Sequence, residues 1–376
     1  MEREVLSVAV AFLLLVAGAA PVAGAGGAQE QCTFPVTYTD ATGTDVTVEE
    51  EPQRVVTLGP SAAQTMWEIG AEDKVVGVSQ YASYLDGAGD KTVVTSKDGV
   101  KTEQVVALEP DLVLAPNIVS EDAVRKLRQT GLTVVYFENA RTIDDVAQKT
   151  TTIGELTGEC EGARETVDWM NRNVDAVEQA VADEERPKAL YTFFGYTAGD
   201  ETFIDNMIRA AGAQNAAADA DITGYKKISD EVVVEQNPDW LVLNSDSPKP
   251  PSSAAYNETT AIQENNTVVV DRNYISQPAP RSVVYTVRNM TKAFHPEAYE
   301  ELDQYLATET TTRTTETTAD TEAEASTTTT PDEETAQRRV DSQGSNPSPS
   351  SWRSPPSRWS RRAVADDARR RNGKGP

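Results

Sequence analysis

Few side chains in this sequence are equipped for bond-making chemistry. One histidine, His295, sits beside Pro296, and two cysteines, Cys32 and Cys160, are spread over 376 residues. A lone imidazole is more often structural than catalytic, and without a His/Cys cluster no transition-metal site of the usual kind can be assembled. A serine nucleophile would have no general base other than His295. The turn Gly59-Pro60-Ser61 lacks the lysine and the glycine spacing of a phosphate loop. Catalytic and metal-ligating residues are therefore expected to be absent, no cofactor is called for, and binding without turnover is the economical reading.

What the chain offers instead is aromatic and polar side chains just beyond its apolar strands. Open α/β sheets bind ligands in the loops at the carboxyl ends of their strands. That rule nominates Ser61, Tyr81, Asn117, Phe194, Tyr196, Tyr225, Asn273, Tyr274 and Arg281. Aromatic rings there suit a large planar or ring-bearing ligand, and Arg272 or Arg281 could meet an anion. Alternation along a strand buries one of Phe193 and Phe194, and Phe194 is expected to face the ligand. For Arg281 the rival role is a structural salt bridge at a helix start.

The elements that must hold these loops alternate strand with helix. A short strand-like piece, Phe34 to Val48, turns at Asp-Ala-Thr-Gly. Strands are then expected at Arg54–Leu58, Val75–Val78, Asp111–Ala115 and Leu132–Phe137. Helices are expected at Ala62–Ile69, from Thr102 as cap to Leu108, at Ser120–Thr130 and at Ile143–Leu156. Between Glu159 and Lys188 lies the clearest helix, with Val167, Met170, Val174, Val177 and Val181 in one stripe and Pro187 as its stop. Beyond it the plan repeats. Strands are expected at Lys188–Thr192, Asp239–Leu243 and Thr267–Val270. Helices are expected at Thr202–Ala211, after Ser229, at Ser282–Phe294 and from Pro296 to Leu306. The sharpest internal match sets Thr102-Glu-Gln-Val-Val-Ala-Leu-Glu-Pro-Asp-Leu-Val-Leu114 beside Asp230-Glu-Val-Val-Val-Glu-Gln-Asn-Pro-Asp-Trp-Leu-Val242, 128 residues on. Such a repeat argues for two similar lobes, each a mostly parallel sheet with helices on both faces.

Composition sets the surroundings. Residues 1–25 carry an apolar run and end in Ala23-Gly24-Ala25, the pattern of a cleaved signal peptide, with an uncleaved membrane anchor as the rival. Export places Cys32 and Cys160 in an oxidising setting where an even pair suggests one disulfide; lipid attachment at Cys32 is the rival, but no lipobox precedes it. Asn257, Asn265 and Asn289 each begin a glycosylation sequon. The net charge is −26, yet residues 338–376 carry ten Lys/Arg against three Asp/Glu, leaving −33 elsewhere. That surface repels nucleic acid and anionic membranes. With 22 Arg and 12 Lys it suits a protein from a high-salt habitat. The expected organisation is an N-terminal extension at 26–51, lobes at 52–158 and 187–306 joined by a helix at 159–186, a disordered Thr/Glu-rich stalk at 307–337, and a disordered basic tail at 338–376.

Residues 52–300 resemble the helical-backbone class of ABC-transporter solute-binding proteins, those for ferric siderophores, haem and cobalamin. The resemblance rests on Pro52-Gln-Arg-Val-Val-Thr-Leu-Gly-Pro-Ser61, Val76-Gly-Val-Ser79, the two Glu…Pro-Asp blocks and Pro278-Ala-Pro-Arg281. It implies two Rossmann-like lobes joined by one rigid α-helix, with ligand in the cleft between them. It also implies one docking glutamate per lobe, Glu103 and Glu231, for arginine pockets of a permease. Their rival role is a first-turn carboxylate placed against a helix dipole. The function so implied is a monomeric receptor on the extracellular face of the membrane that delivers a metal chelate, most of all a ferric siderophore, to a permease and its ATPase. Cobalamin or haem is the alternative ligand. Cobalamin binders often have a tryptophan after the first Pro-Asp strand where this chain has Pro116, which counts against cobalamin. A surface structural or adhesive glycoprotein is the alternative of a different class.

Overall fold

A computed structural model of the protein describes residues 32–302 and residue 304. All the described residues fall in the first of the chain's two units, Met1–Thr314, and everything below concerns that unit. The signal peptide, the stalk and the basic tail expected from the sequence lie outside the described residues.

Strands of this chain read as unbroken apolar runs because helices cover both faces of their sheets. In the N-terminal lobe five parallel strands lie in the order Thr92–Val93, Val75–Val78, Val55–Thr57, Leu112–Pro116, Val134–Phe137. Val55, Leu112, Leu114, Val135 and Phe137 pack on one face with Met66 and Ile153. Val56, Val113, Ala115, Val134 and Tyr136 pack on the other with Val105 and Leu127. That is the period-two alternation of a strand written across a whole sheet. The C-terminal lobe repeats the plan with Gln214–Asn215, Lys188–Thr192, Trp240–Asn244 and Thr267–Val270, again all parallel. In both sheets the strand order reverses between the first strand of the lobe and the strand after the Pro-Asp pair.

The repeated motif has an atomic reason. Asp111 Oδ2 accepts from the backbone N–H groups of Gln53 and Arg54, both at 2.8 Å, while Asp111 N donates to Arg54 O at 2.8 Å. In the other lobe Asp239 Oδ2 accepts from Lys188 N at 2.8 Å, and Asp239 N donates to Lys188 O at 2.8 Å. Each aspartate thus fixes the register of the neighbouring parallel strand, and the preceding proline stops the helix. Helices Thr102–Ala107 and Asp230–Gln236 lead into these pairs. Lys101, not Thr102, is the cap residue of the first, and Thr102 is its first helical residue.

Helix Cys160–Ala180 joins the lobes, at 1.5 Å per residue a rod of about 32 Å. Ala163 packs into the N-terminal core, whereas Met170, Val174 and Val177 pack into the C-terminal one. Val167 is only half-buried, and Thr166 takes the buried position expected for it. The rod enters the first lobe at very close range: a Cβ on Gly162 would lie 2.1 Å from Ile69 O, and one on Gly154 would lie 2.4 Å from Ala163 Cβ. It ends at Ala180, well before Pro187. Three carboxylates, Asp183, Glu184 and Glu185, follow, and negative charge opposes helix extension at a C-terminus. Val181 instead turns into the core beside Gly212.

The disulfide expected from the sequence joins Cys32 to Cys160, with Cα atoms 5.6 Å apart. It fastens the N-terminal hairpin, Val36–Thr39 with Asp45–Val48, to the first residue of the rod. The hairpin turn is also tied to the edge strand, because Ala41 N donates to Tyr136 O at 2.9 Å and buried Asp40 pairs with Arg128. His295 is buried, with its Nε2 on Gly212 O at 3.1 Å, the structural role expected of a lone imidazole.

Candidate functional site

The carboxyl ends of the strands beside each order reversal form the crevice where such sheets hold ligands. In the first lobe this crevice is built from Gly59 and the loop after Pro116. A Cβ on Gly59 would lie 2.3 Å from Pro116 Cγ and 3.4 Å from Ile118 Cδ1, so glycine permits the contact. Tyr136 donates to Val119 O at 2.9 Å and holds the loop from beneath. Ile118 is left 68% exposed, with Asn117 beside it also exposed. Tyr81 stands exposed in the turn after the next strand.

In the second lobe the equivalent crevice carries a two-residue hairpin. Phe193 and Tyr196 exchange backbone hydrogen bonds of 2.9 Å across Phe194 and Gly195, whose φ values are 49° and 79°. Two successive positive φ angles are the signature of a type I′ turn. A phenylalanine in that region is a strained choice, and strain of this kind gathers at functional sites. Phe193 packs toward the core, and Phe194 is 67% exposed. The hairpin continues into Tyr196–Ala198, paired antiparallel with Tyr225–Lys227. Register places Tyr196 opposite Lys227 and Ala198 opposite Tyr225, so Tyr196, Tyr225 and Lys227 share one face, with the Lys227 ammonium 5.8 Å from the Tyr196 ring.

Where the lobes meet, the contact is polar. Gln64 Nε2 donates to Glu68 Oε1 at 2.7 Å and to Ser282 Oγ at 3.1 Å, and Tyr84 Oη donates to Gln64 Oε1 at 2.6 Å. Glu68 Oε2 accepts from Arg281 N at 2.9 Å, with the Arg281 guanidinium 3.9 Å from Oε1. Thr166 of the rod donates to Glu68 O at 2.9 Å, so all three parts of the fold touch this residue. The Glu68 side chain is 3% exposed, and burial pushes its carboxyl up to about 7 despite the Arg281 and Gln64 hydrogen bonds. Burial and the Glu68 charge push the Tyr84 phenol far up, which keeps it a donor.

A carboxyl that binds its proton more tightly when folded destabilises the fold as it ionises. The stability is therefore full below the ordinary value of 4.5 and declines as pH rises through about 7, by roughly 3 kcal/mol in all. Glu68→Gln, which cannot ionise, is expected to remove this slope and melt higher than the parent at pH 8. Equal pH dependence of the two melting curves would refute the assignment.

The structure thus brings Phe194, Tyr196 and Tyr225 together, and places Tyr81 and Asn117 on the loops of the other lobe. Arg281 serves the seam, half-exposed, as well as the loop nominated for it. Asn273 and Tyr274 lie on helix Arg272–Ile275 after the last strand, with Tyr274 edge-on to Tyr285 at 5.0 Å. Arg272 is paired with Asp246 at 2.8 Å. Ser61 is buried in the first turn of helix Pro60–Glu68. Ile118 escaped the sequence reading because attention to aromatics passes over an isoleucine; its position directly after the Pro-Asp strand was the available signal. Glu68 escaped because nothing local marks a glutamate whose partner is 213 residues away.

Two parallel sheets joined by one rod and a polar seam, with ring-bearing loops at both crevices, make a bilobal solute-binding protein that captures and delivers without transforming. The family described as "Periplasmic binding protein" matches residues 55–274. The chain belongs to that family, as the extracytoplasmic solute-binding component of an ABC importer. A protein of Halobacterium salinarum named "Cobalamin-binding protein" is 47% identical over 290 residues, covering 73% of this chain and 78% of its own length. A "Vitamin B12-binding protein" of Vibrio parahaemolyticus is 24% identical over 245 residues, covering 63% and 88%. Among solved structures, the periplasmic haem-binding protein RhuT from Roseiflexus sp. RS-1 superposes with a TM-score of 0.59 at 21% identity, covering 64% of this chain and 98% of its own. That last likeness concerns the fold.

Proposed function

We propose that this protein captures a corrinoid of the cobalamin type between its lobes and presents it to the importer through Glu103 and Glu231. The observation that carries the ligand reading is the pair of apolar residues Ile118 and Phe194, more exposed than any other large hydrophobic side chain among the described residues and standing at matching crevices of the two lobes. Apolar walls of this kind fit a broad macrocycle that brings its own metal ligands. No group of three His, Cys, Asp or Glu able to hold a metal exists among the described residues, and His295 is committed to Gly212. Haem is the weaker reading because the sequence relatives described above are named for cobalamin or vitamin B12, whereas the haem-binding likeness concerns the fold. The ferric siderophore favoured by the sequence alone has no support in the relatives described above, two of which are named for cobalamin or vitamin B12. Pro116 sits so close to Gly59 that a Cβ there would lie 2.3 Å from its Cγ, and the exposed Asn117 and Ile118 follow it directly.

Absorbance titration of the purified protein with cyanocobalamin, haemin and a ferric trihydroxamate, in molar salt, separates the three readings. Cyanocobalamin is expected to saturate at one equivalent. Phe194→Ala and Ile118→Ala are each expected to weaken it about 10- to 100-fold, the range for truncating an exposed apolar anchor at a binding site. Saturation by haemin or the hydroxamate with none by cyanocobalamin would overturn the proposal.

A further inference from the structure

The three sequons differ in what the fold lets an enzyme reach. Attachment of a glycan requires the asparagine amide and the hydroxyl two residues on to be presented together. In a helix, residues i and i+2 point about 200° apart and do not share a face. Asn289 and Thr291 both lie within helix Pro280–Phe294. Asn289 is exposed, but Thr291 is fully buried and its hydroxyl donates to Val287 O at 2.9 Å. Asn257 ends helix Ala254–Asn257, while Thr259 caps the next helix. The Thr259 hydroxyl is buried, donating to Tyr256 O at 2.7 Å and accepting from Ile262 N at 3.4 Å. Neither hydroxyl is free without unfolding a helix or its cap.

Asn265 is built differently. It occupies a left-handed turn at φ 61°, between helix Thr260–Gln263 and strand Thr267–Val270, and both Asn265 and Thr267 are exposed. The turn is closed by the backbone, with Thr267 N donating to Asn265 O at 3.1 Å, so neither side chain is needed to hold it. The strand that follows is the outermost of the C-terminal sheet, with Val269 facing solvent.

We infer that Asn265 is the sequon modified on the folded protein, by N-glycosylation from a polyprenyl-phosphate-linked glycan. Its amide nitrogen displaces the phosphate at the anomeric carbon: the C–N bond forms, the C–O bond to phosphate breaks, and the amide loses one proton. A glycan there covers a sheet edge with no partner strand among the described residues, the place where strands of separate molecules otherwise associate. It stands at the amino end of its strand, opposite the crevice loops, and leaves ligand entry clear.

Glycopeptide mass spectrometry of the protein secreted by its native host tests this directly. A glycan on Asn265 with Asn257 and Asn289 bare is expected. Bare Asn265, or equal occupancy at either other sequon, overturns the inference. Asn265→Asp, which tolerates the left-handed turn, and Thr267→Ala should each remove one glycan mass, whereas Thr267→Ser should retain it. Unchanged corrinoid titration in all three variants is the expected control, and a glycan persisting in Asn265→Asp with Thr267→Ala would place the modification elsewhere.

Discussion

Reduction of the Cys32–Cys160 disulfide is expected to cost more stability than any single side-chain truncation on the surface. The two cysteines are 128 residues apart. Closing a loop of that length removes about 5 kcal/mol of chain entropy from the unfolded state, against a total stability of about 5–15 kcal/mol for a typical domain. The native side is secured separately. Asp40 accepts from Thr42 Oγ1, from the backbone of Thr42 and Tyr136, and from Arg128, so the hairpin stays docked after reduction. The loss then falls on the unfolded state and appears as a melting temperature about 10 °C lower in Cys32→Ser or in the parent with reductant. Ligand affinity should be unchanged, because the disulfide lies at the start of the rod and not at the strand ends. Melting within a degree of the oxidised protein would show that native contacts at Cys160 offset the entropy.

The paired lobes and the rod were legible from local patterns. Unbroken apolar runs marked the strands, and the repeated Glu…Pro-Asp blocks marked equivalent positions, because each Asp performs the same backbone task in its own lobe. Elements made by distant partners were not legible. Among the described residues Tyr196–Ala198 and Tyr225–Lys227 form a two-stranded sheet with each other, and its pairs join residues from Ala198 and Tyr225 out to Tyr196 and Lys227 across a long intervening segment. The rod's end was misplaced because Pro187 is a conspicuous stop, whereas the acidic residues that end the helix earlier act through charge. At the site, strand-end position found Phe194, Tyr196 and Tyr225 but not their mutual arrangement. The hairpin that exposes Phe194 depends on a positive φ at a residue type that rarely adopts one.

Removing Glu103 and Glu231 together is expected to abolish import while leaving the receptor itself intact. The two blocks that contain them can be divided by role. Proline stops each helix, aspartate holds each neighbouring strand, and one valine of each block, Val105 or Val233, is fully buried in its lobe's core. The glutamates have no comparable task. Both lie exposed in the first turns of their helices, and neither takes part in an ion pair among the described residues. Favourable placement against a helix dipole contributes about 0.3–1 kcal/mol each, too little to require the same residue at the same place in both lobes. A carboxylate on each lobe, carried by a rod of fixed length, presents two charges at one separation, which suits bidentate arginine partners on a permease. Glu103→Ala with Glu231→Ala should therefore bind cyanocobalamin as the parent does and melt within a few degrees of it. Uptake of labelled cobalamin into vesicles bearing the cognate importer should fall to the level without receptor, and each single variant should retain part of it. Uptake at the parental rate by the double variant would sink the docking role and return both glutamates to the helix dipole.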